Sequence, residues 1–123
     1  MSISNWAENA ILDALFNNTA LQEAARYVQL HTGDPGEAGT NNVATETDRQ
    51  ELDDAAAVGG TYTSPNDLEW ASVAATETYS HVSIWDAAAA GNCLWTGALT
   101  SPQPVNIGNT FTIAAGDLTV SVD

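Results

Sequence analysis

The side chains whose chemistry could carry a function are two histidines, one cysteine, four tryptophans and a run of acids. His31 and His81 stand apart, no serine sits in a glycine-flanked elbow, and Cys93 has no histidine beside it, so the linear patterns of nucleophilic catalysis are missing. Each histidine reads as an ordinary strand residue, and Cys93, between Asn92 and Leu94, as a small buried hydrophobe rather than a reactive thiol. Glu46, Asp48, Glu51, Asp53 and Asp54 could offer oxygens to a hard cation, but they lack the alternating ligands, central glycine and distal glutamate of a calcium loop. They read as a solvated acidic face. Gly33-Asp34-Pro35-Gly36 is a turn and not a phosphate cradle, because no helix follows it. Trp6, Trp70, Trp85 and Trp95 offer flat faces on which a sugar ring could stack beside Asp or Asn. In a small chain with only two Phe they read first as core. The expectation is no catalytic residue, no cofactor and no metal site.

The composition narrows the classes further. A chain of 123 residues has room for one domain, residues 1–123. Sixteen acidic residues against two basic ones give a net charge of -14, which excludes the Lys and Arg field that a nucleic acid or an anionic membrane surface requires. No apolar stretch approaches the roughly 18 residues of a membrane span. The opening Met1-Ser2-Ile3-Ser4-Asn5 carries no positive charge and leads into no apolar run, so no secretory signal is expected. One cysteine makes no internal disulfide and no cysteine-based zinc site. Synthesis and assembly in a cytoplasm follow as the expectation.

The elements that would position these residues begin with a helical segment, residues 1–25. Asn5 is placed to cap a helix and Glu8 to reach back, while Ile11 with Leu15 and Leu12 with Phe16 stack at four-residue spacing. Asn17 and Asn18 stop it, and a weaker helical turn is expected over residues 20–25. From Arg26 the period becomes two, with Tyr27, Gln29 and His31 on one face and Val28, Leu30 and Thr32 on the other. A loop over residues 33–42 follows, then an exposed strand over 43–58, and a short alternating run over 68–73 in which Leu68 and Trp70 alternate with acids. Tyr79 to Trp85, Asn92 to Ala98, Thr110 to Ile113 and Leu118 to Val122 read as further strands. In the last two, Phe111 and Ile113 are expected to share an inner face with Leu118, Val120 and Val122 across the turn at 114–117. The fold class is mainly β: an N-terminal α-helix followed by an antiparallel β-sandwich or jelly-roll-like domain over residues 26–123.

Several segments, in order, carry a likeness: Ser4-Asn5-Trp6-Ala7-Glu8-Asn9-Ala10-Ile11-Leu12, then Val28-Gln29-Leu30-His31-Thr32-Gly33-Asp34-Pro35-Gly36, and Thr61-Tyr62 after paired glycines. They continue with His81-Val82-Ser83-Ile84-Trp85-Asp86-Ala87, Gly91-Asn92-Cys93-Leu94, Gly97-Ala98-Leu99-Thr100 and Ala115-Gly116-Asp117-Leu118-Thr119-Val120. Along nearly its whole length the chain resembles the small tailed-phage virion proteins labelled tail-fibre, minor structural or decoration proteins. It departs from them at Thr47-Asp48-Arg49-Gln50, where their aromatic-Ala-Arg segment is replaced by acid. The resemblance implies a non-enzymatic virion component on the particle's exterior, a homo-oligomer and specifically a trimer, partnered by capsid or tail subunits. With no shaft repeat, heptad or glycine period, the chain fits an accessory or decoration module docking on capsid or tail. The alternative is a tail-fibre or tail-tip module that binds a receptor or glycan. The expected interfaces are the helix face with Ile11, Leu12, Leu15 and Phe16, or the closing strand with Leu118, Val120 and Val122. Asp34, Pro35 and Gly36 are expected in an exposed loop.

Overall fold

Alternation from Arg26 onward places Val28 and Leu30 on one side of a strand, and burying that side needs partners from far along the chain. The computed structural model describes residues 2–21 and 25–122 and shows which partners these are. The chain runs β1 (Ser2–Ile3), α1 (Asn5–Phe16), β2 (Arg26–His31), β3 (Gln50–Leu52), β4 (Thr61–Thr63), β5 (Leu68–Trp70), β6 (Glu77–Trp85), β7 (Cys93–Val105), β8 (Phe111–Ile113) and β9 (Thr119–Ser121). β1, β7, β6, β2 and β3 form one antiparallel sheet in that order. Opposite it lie two ribbons, β5 with β8 and β4 with β9. The fold is mainly β with an N-terminal helix, in a sandwich-like arrangement, as the alternating segments predict.

Between the layers, Val28, Leu30, Val82 and Ile84 of the sheet meet Leu68, Trp70, Phe111, Ile113 and Leu118 of the ribbons in one apolar cluster. Turn chemistry sets the ribbon pairing. The expected hairpin between the last two strands does not form, because Ser64 intervenes: its N–H donates to Leu118 O at 2.9 Å, and Gly116 N–H donates back to Ser64 O at 2.8 Å. Asp67 Oδ1 accepts the Ala115 N–H at 2.8 Å. Segments 61–70 and 111–121 therefore run antiparallel as one interrupted ladder, with Thr63 opposite Thr119 and Trp70 opposite Phe111.

The stretch 43–58, expected as an exposed strand, is strand only at Gln50–Leu52. Carboxylates substitute for a neighbouring strand elsewhere in it. Glu77 accepts the Thr45 N–H at 2.7 Å, and Glu46, itself buried, accepts the N–H groups of Asp48 and Ala74. Backbone donors satisfied by side chains need no ladder. The acidic run is thus divided: Glu46 is internal, while Asp48, Glu51, Asp53 and Asp54 face solvent.

α1 starts one residue earlier than its sequence suggests, because a distant contact fixes the cap. Ser4, not Asn5, is the N-cap, its Oγ accepting the Ala7 N–H at 3.2 Å. Ser4 is held there by β7: its N–H donates to Leu94 O at 2.9 Å and its hydroxyl to Cys93 O at 2.5 Å. Of the helical turn expected over residues 20–25, residues 22–24 lie outside the described residues, and residues 20, 21 and 25 are not helical. Among the described residues, no helix is long and apolar enough to cross a membrane.

Candidate functional site

Pairing of β2 with β6 sets Gln29 opposite Ser83 and His31 opposite His81, on the face turned away from the apolar cluster. Sequence spacing separates His31 from Ser83 by 52 positions, yet His31 Nε2 lies 2.7 Å from Ser83 Oγ. The other ring nitrogen, Nδ1, lies 2.8 Å from Asn41 O. A carbonyl oxygen only accepts, so Nδ1 carries the proton and Nε2 accepts from the Ser83 hydroxyl. That hydroxyl in turn accepts the Trp85 Nε1–H at 2.7 Å. The result is a relay running from Trp85 through Ser83 and His31 to Asn41, in which every side-chain N–H and O–H donor is used.

A serine hydrogen-bonded to histidine is half of a nucleophilic constellation, but this pair is enclosed. His31 and Ser83 are both 0% exposed, and a backbone carbonyl stands where a catalytic dyad would have a carboxylate. Burial lowers the His31 pKa, with the His81 and Arg49 charges acting the same way and hydrogen bonds to Asn41 and Asn42 opposing. The sign of the linkage follows. The unfolded chain takes up a proton near pH 6.5 and the folded chain only at lower pH, so stability is full above that value and declines as pH falls through it. The urea midpoint is therefore expected to be lower at about pH 5.5 than at about pH 7.5, a range in which most carboxylates stay ionised. An unchanged or higher midpoint at the lower pH contradicts the neutral relay.

The relay is roofed by the loop that leaves β2. Thr32 N–H donates to Asn42 O, Asp34 Oδ1 accepts the Gly36 N–H, and Asn42 Nδ2 donates to Asp34 O, which closes residues 32–42 into a compact turn. Of the residues expected to be exposed there, Asp34 is, Gly36 is half-buried, and Pro35 is buried because the loop folds back on the sheet. Arg49 ties the end of this cover down. Its guanidinium lies 4.2 Å from the Trp85 ring centroid, and Nη1 donates to the carbonyls of Ala87 and Ala90, each at 2.8 Å. Cys93 packs beneath Gly39, and burial pushes its thiol up to about 11 while Arg49 pulls the other way. That shift keeps it protonated at neutral pH. Among the described residues, no group of three His, Cys, Asp or Glu could hold a metal ion.

The remaining candidates lie on the surface, and the structure separates them. Leu118, expected on an interface strand, is buried in the protein's own core, since the Ser64 bonds turn it inward. Val120 is half-buried and Val122 is 63% exposed. On α1 only Ala7 is buried, Ile11 is half-buried, and Leu12, Leu15 and Phe16 are 53%, 71% and 83% exposed. The protein's own sheet thus leaves an apolar helix face open.

A family model described as Podophage GP4 fiber I protein gp80 matches residues 2–121. A comparison with curated proteins gives no match.

Proposed function

The chain belongs to this podophage fibre protein family, and from that premise we propose that it serves as a non-enzymatic structural module of the virion, docked on a neighbouring capsid or tail subunit through the free face of α1. The whole of residues 1–123 acts in this reading as one virion-surface domain, assembled in the host cytoplasm, and its copies form a homo-oligomer, a trimer by the family resemblance. The fibre description favours a place in the fibre apparatus over capsid decoration.

One observation carries the docking element. α1 is fastened to the sheet at its root by Ser4, while Leu12, Leu15 and Phe16 at its outer end meet solvent. Burying such side chains contributes about 1.5 to 3 kcal/mol each, enough to hold a module on a particle when several act together. The enclosed His31–Ser83 pair supports the non-enzymatic part, since no substrate reaches it.

The experiment is to build phage carrying Leu12→Asp, Leu15→Asp and Phe16→Ser together and to quantify this protein in purified particles. We expect roughly a tenfold loss or more of incorporated protein, corresponding to at least about 1.4 kcal/mol of docking free energy. The purified variant should keep the β circular-dichroism signature and melting temperature, because these side chains add little to its own core. Wild-type incorporation of the folded variant would refute docking through α1.

A further inference from the structure

We propose that the apolar cavity between the five-stranded sheet and the β4–β9 ribbon binds a small amphiphile, a carboxylate on a hydrocarbon chain of about eight carbons. The cavity measures about 230 Å³. Leu52, Ile84 and Leu94 form its floor; all three are buried members of the apolar cluster, so the cavity opens onto the core.

Local geometry makes the space. Ile84 opposes Trp95 and Trp85 opposes Cys93, so Leu94 is the extra residue of a β-bulge, and the consecutive Leu94 and Trp95 both reach the cavity. At the rim, Ala57 and Gly60 are too small to close it. A Cβ on Gly60 would meet only Val122 Cγ2, 3.9 Å away. Protein interiors hold few voids larger than a water, because each forfeits dispersion contacts that a hydrocarbon chain would restore. For scale, an apolar cavity of about 150 Å³ admits a benzene ring, so this one suits a chain of roughly eight carbons.

Arg26 sets the polar end. Its guanidinium and the Tyr62 hydroxyl are the polar groups among side chains that are otherwise hydrocarbon or indole, and the hydroxyl is spent on Asp53 O at 2.9 Å. An arginine has five N–H donors, and among the described residues Arg26 uses only Nη2, toward Asp54. The Asp54 side chain is 91% exposed and lines no part of the cavity, and an ion pair so open to solvent is weak. The guanidinium is therefore available to a second carboxylate, whereas an alkylammonium would meet like charge. The chain's net charge of -14 repels anions at long range, but salt at about 0.15 M screens that field beyond about 8 Å and leaves the contact with Arg26 to decide. No residue of α1 lines the cavity, so the proposal does not rest on docking through that helix.

The test is titration of the full chain with hexanoate, octanoate and octan-1-ol at about 0.15 M salt, read by NMR at the assigned methyl signals of Ile84, Val120 and Val122. Octanoate should shift these signals saturably with a Kd on the order of a millimolar. It should bind roughly fifteenfold more tightly than hexanoate, since each buried CH₂ is worth about fourfold. Octan-1-ol, with the same chain and no charge, should bind several-fold more weakly. Arg26→Gln should reduce octanoate to the level of the alcohol, and Asp54→Asn, which releases Arg26, should tighten it. Ala57→Trp, at an exposed position outside the strands, should close the rim and abolish binding with an unchanged melting temperature. Methyl signals unmoved by octanoate, equal affinity for hexanoate and octanoate, or equal affinity of the wild type and Arg26→Gln for octanoate would each overturn the proposal. Self-association of the wild type that Ala57→Trp abolishes would overturn it too, by giving the cavity to a second copy of the chain.

Discussion

Trp70→Ala is expected to lower the unfolding free energy by about 4 kcal/mol, the range of large aromatic truncations in a core. Trp70 is 1% exposed and opposes Phe111 in the β5–β8 ladder, with ring centroids 5.8 Å apart. Phe111 in turn packs on Tyr79 of β6 at 5.1 Å, so this aromatic row joins the ribbon to the sheet. The indole N–H also donates to Asp48 O at 2.8 Å, which fastens the acidic stretch to the core. Alanine would leave a cavity between the layers and deprive a partly buried carbonyl of its donor, two costs that add. Against a total stability of about 5 to 15 kcal/mol for a domain of this kind, the loss is large. Trp70→Phe should cost less than half as much, since it keeps most of the volume. Urea unfolding measures both, and a loss below about 1 kcal/mol for the alanine variant would contradict the role given to this row.

Gly39→Ala is the second large effect, expected near 3 kcal/mol. Gly39 has φ +70°, and a Cβ there would lie 2.6 Å from Cys93 Sγ and 2.9 Å from Trp85 Cζ2. The left-handed backbone costs an alanine roughly 1 to 2 kcal/mol, and overpacking adds about 1 to 3 kcal/mol. Gly108→Ala separates the two terms, because Gly108 has φ +82° with open space around it and carries only the backbone cost. Equal losses at the two positions would show that the loop does not press on Cys93 and Trp85. A greater loss at Gly39, partly restored by adding Cys93→Ala, is the expected pattern.

These two sites mark where sequence reading succeeds and where it stops. The alternation in Leu68–Trp70, Glu77–Trp85 and Phe111–Ile113 identified strands with the correct inward residues, because one buried face imposes period two locally. Partner choice carries no such local mark. Nothing near Ile113 shows that it pairs with Leu68 across 45 positions and not with the strand that follows it. For the same reason the cap fell on Ser4 and not on Asn5, since bonds to Cys93 and Leu94 decide it.

The second buried face was equally hidden. Gln29, His31 and Ser83 read as the polar, outward side of their strands, yet they are buried under residues 33–49. Only the polar atoms that a relay can satisfy make such burial tolerable. Arg49, one of two basic residues in the chain, was visible only as a departure from an expected motif. Its hold on the Ala87 and Ala90 carbonyls needs the folded turn to appear. The apolar side of α1, by contrast, is legible at Leu12, Leu15 and Phe16, which need no partner within the chain to stand out, whereas Ile11, read onto the same face, is half-buried.

The most direct measurement is hydrogen exchange of the α1 backbone amides, by mass spectrometry, in the isolated protein and in intact particles. If α1 is the docking element, its amides in the particle exchange about a hundredfold more slowly than in the free protein, while those of β6 and β2, already deep in the sheet, change little. Equal exchange of α1 in both states, with protection gained on another surface, would contradict docking through this helix.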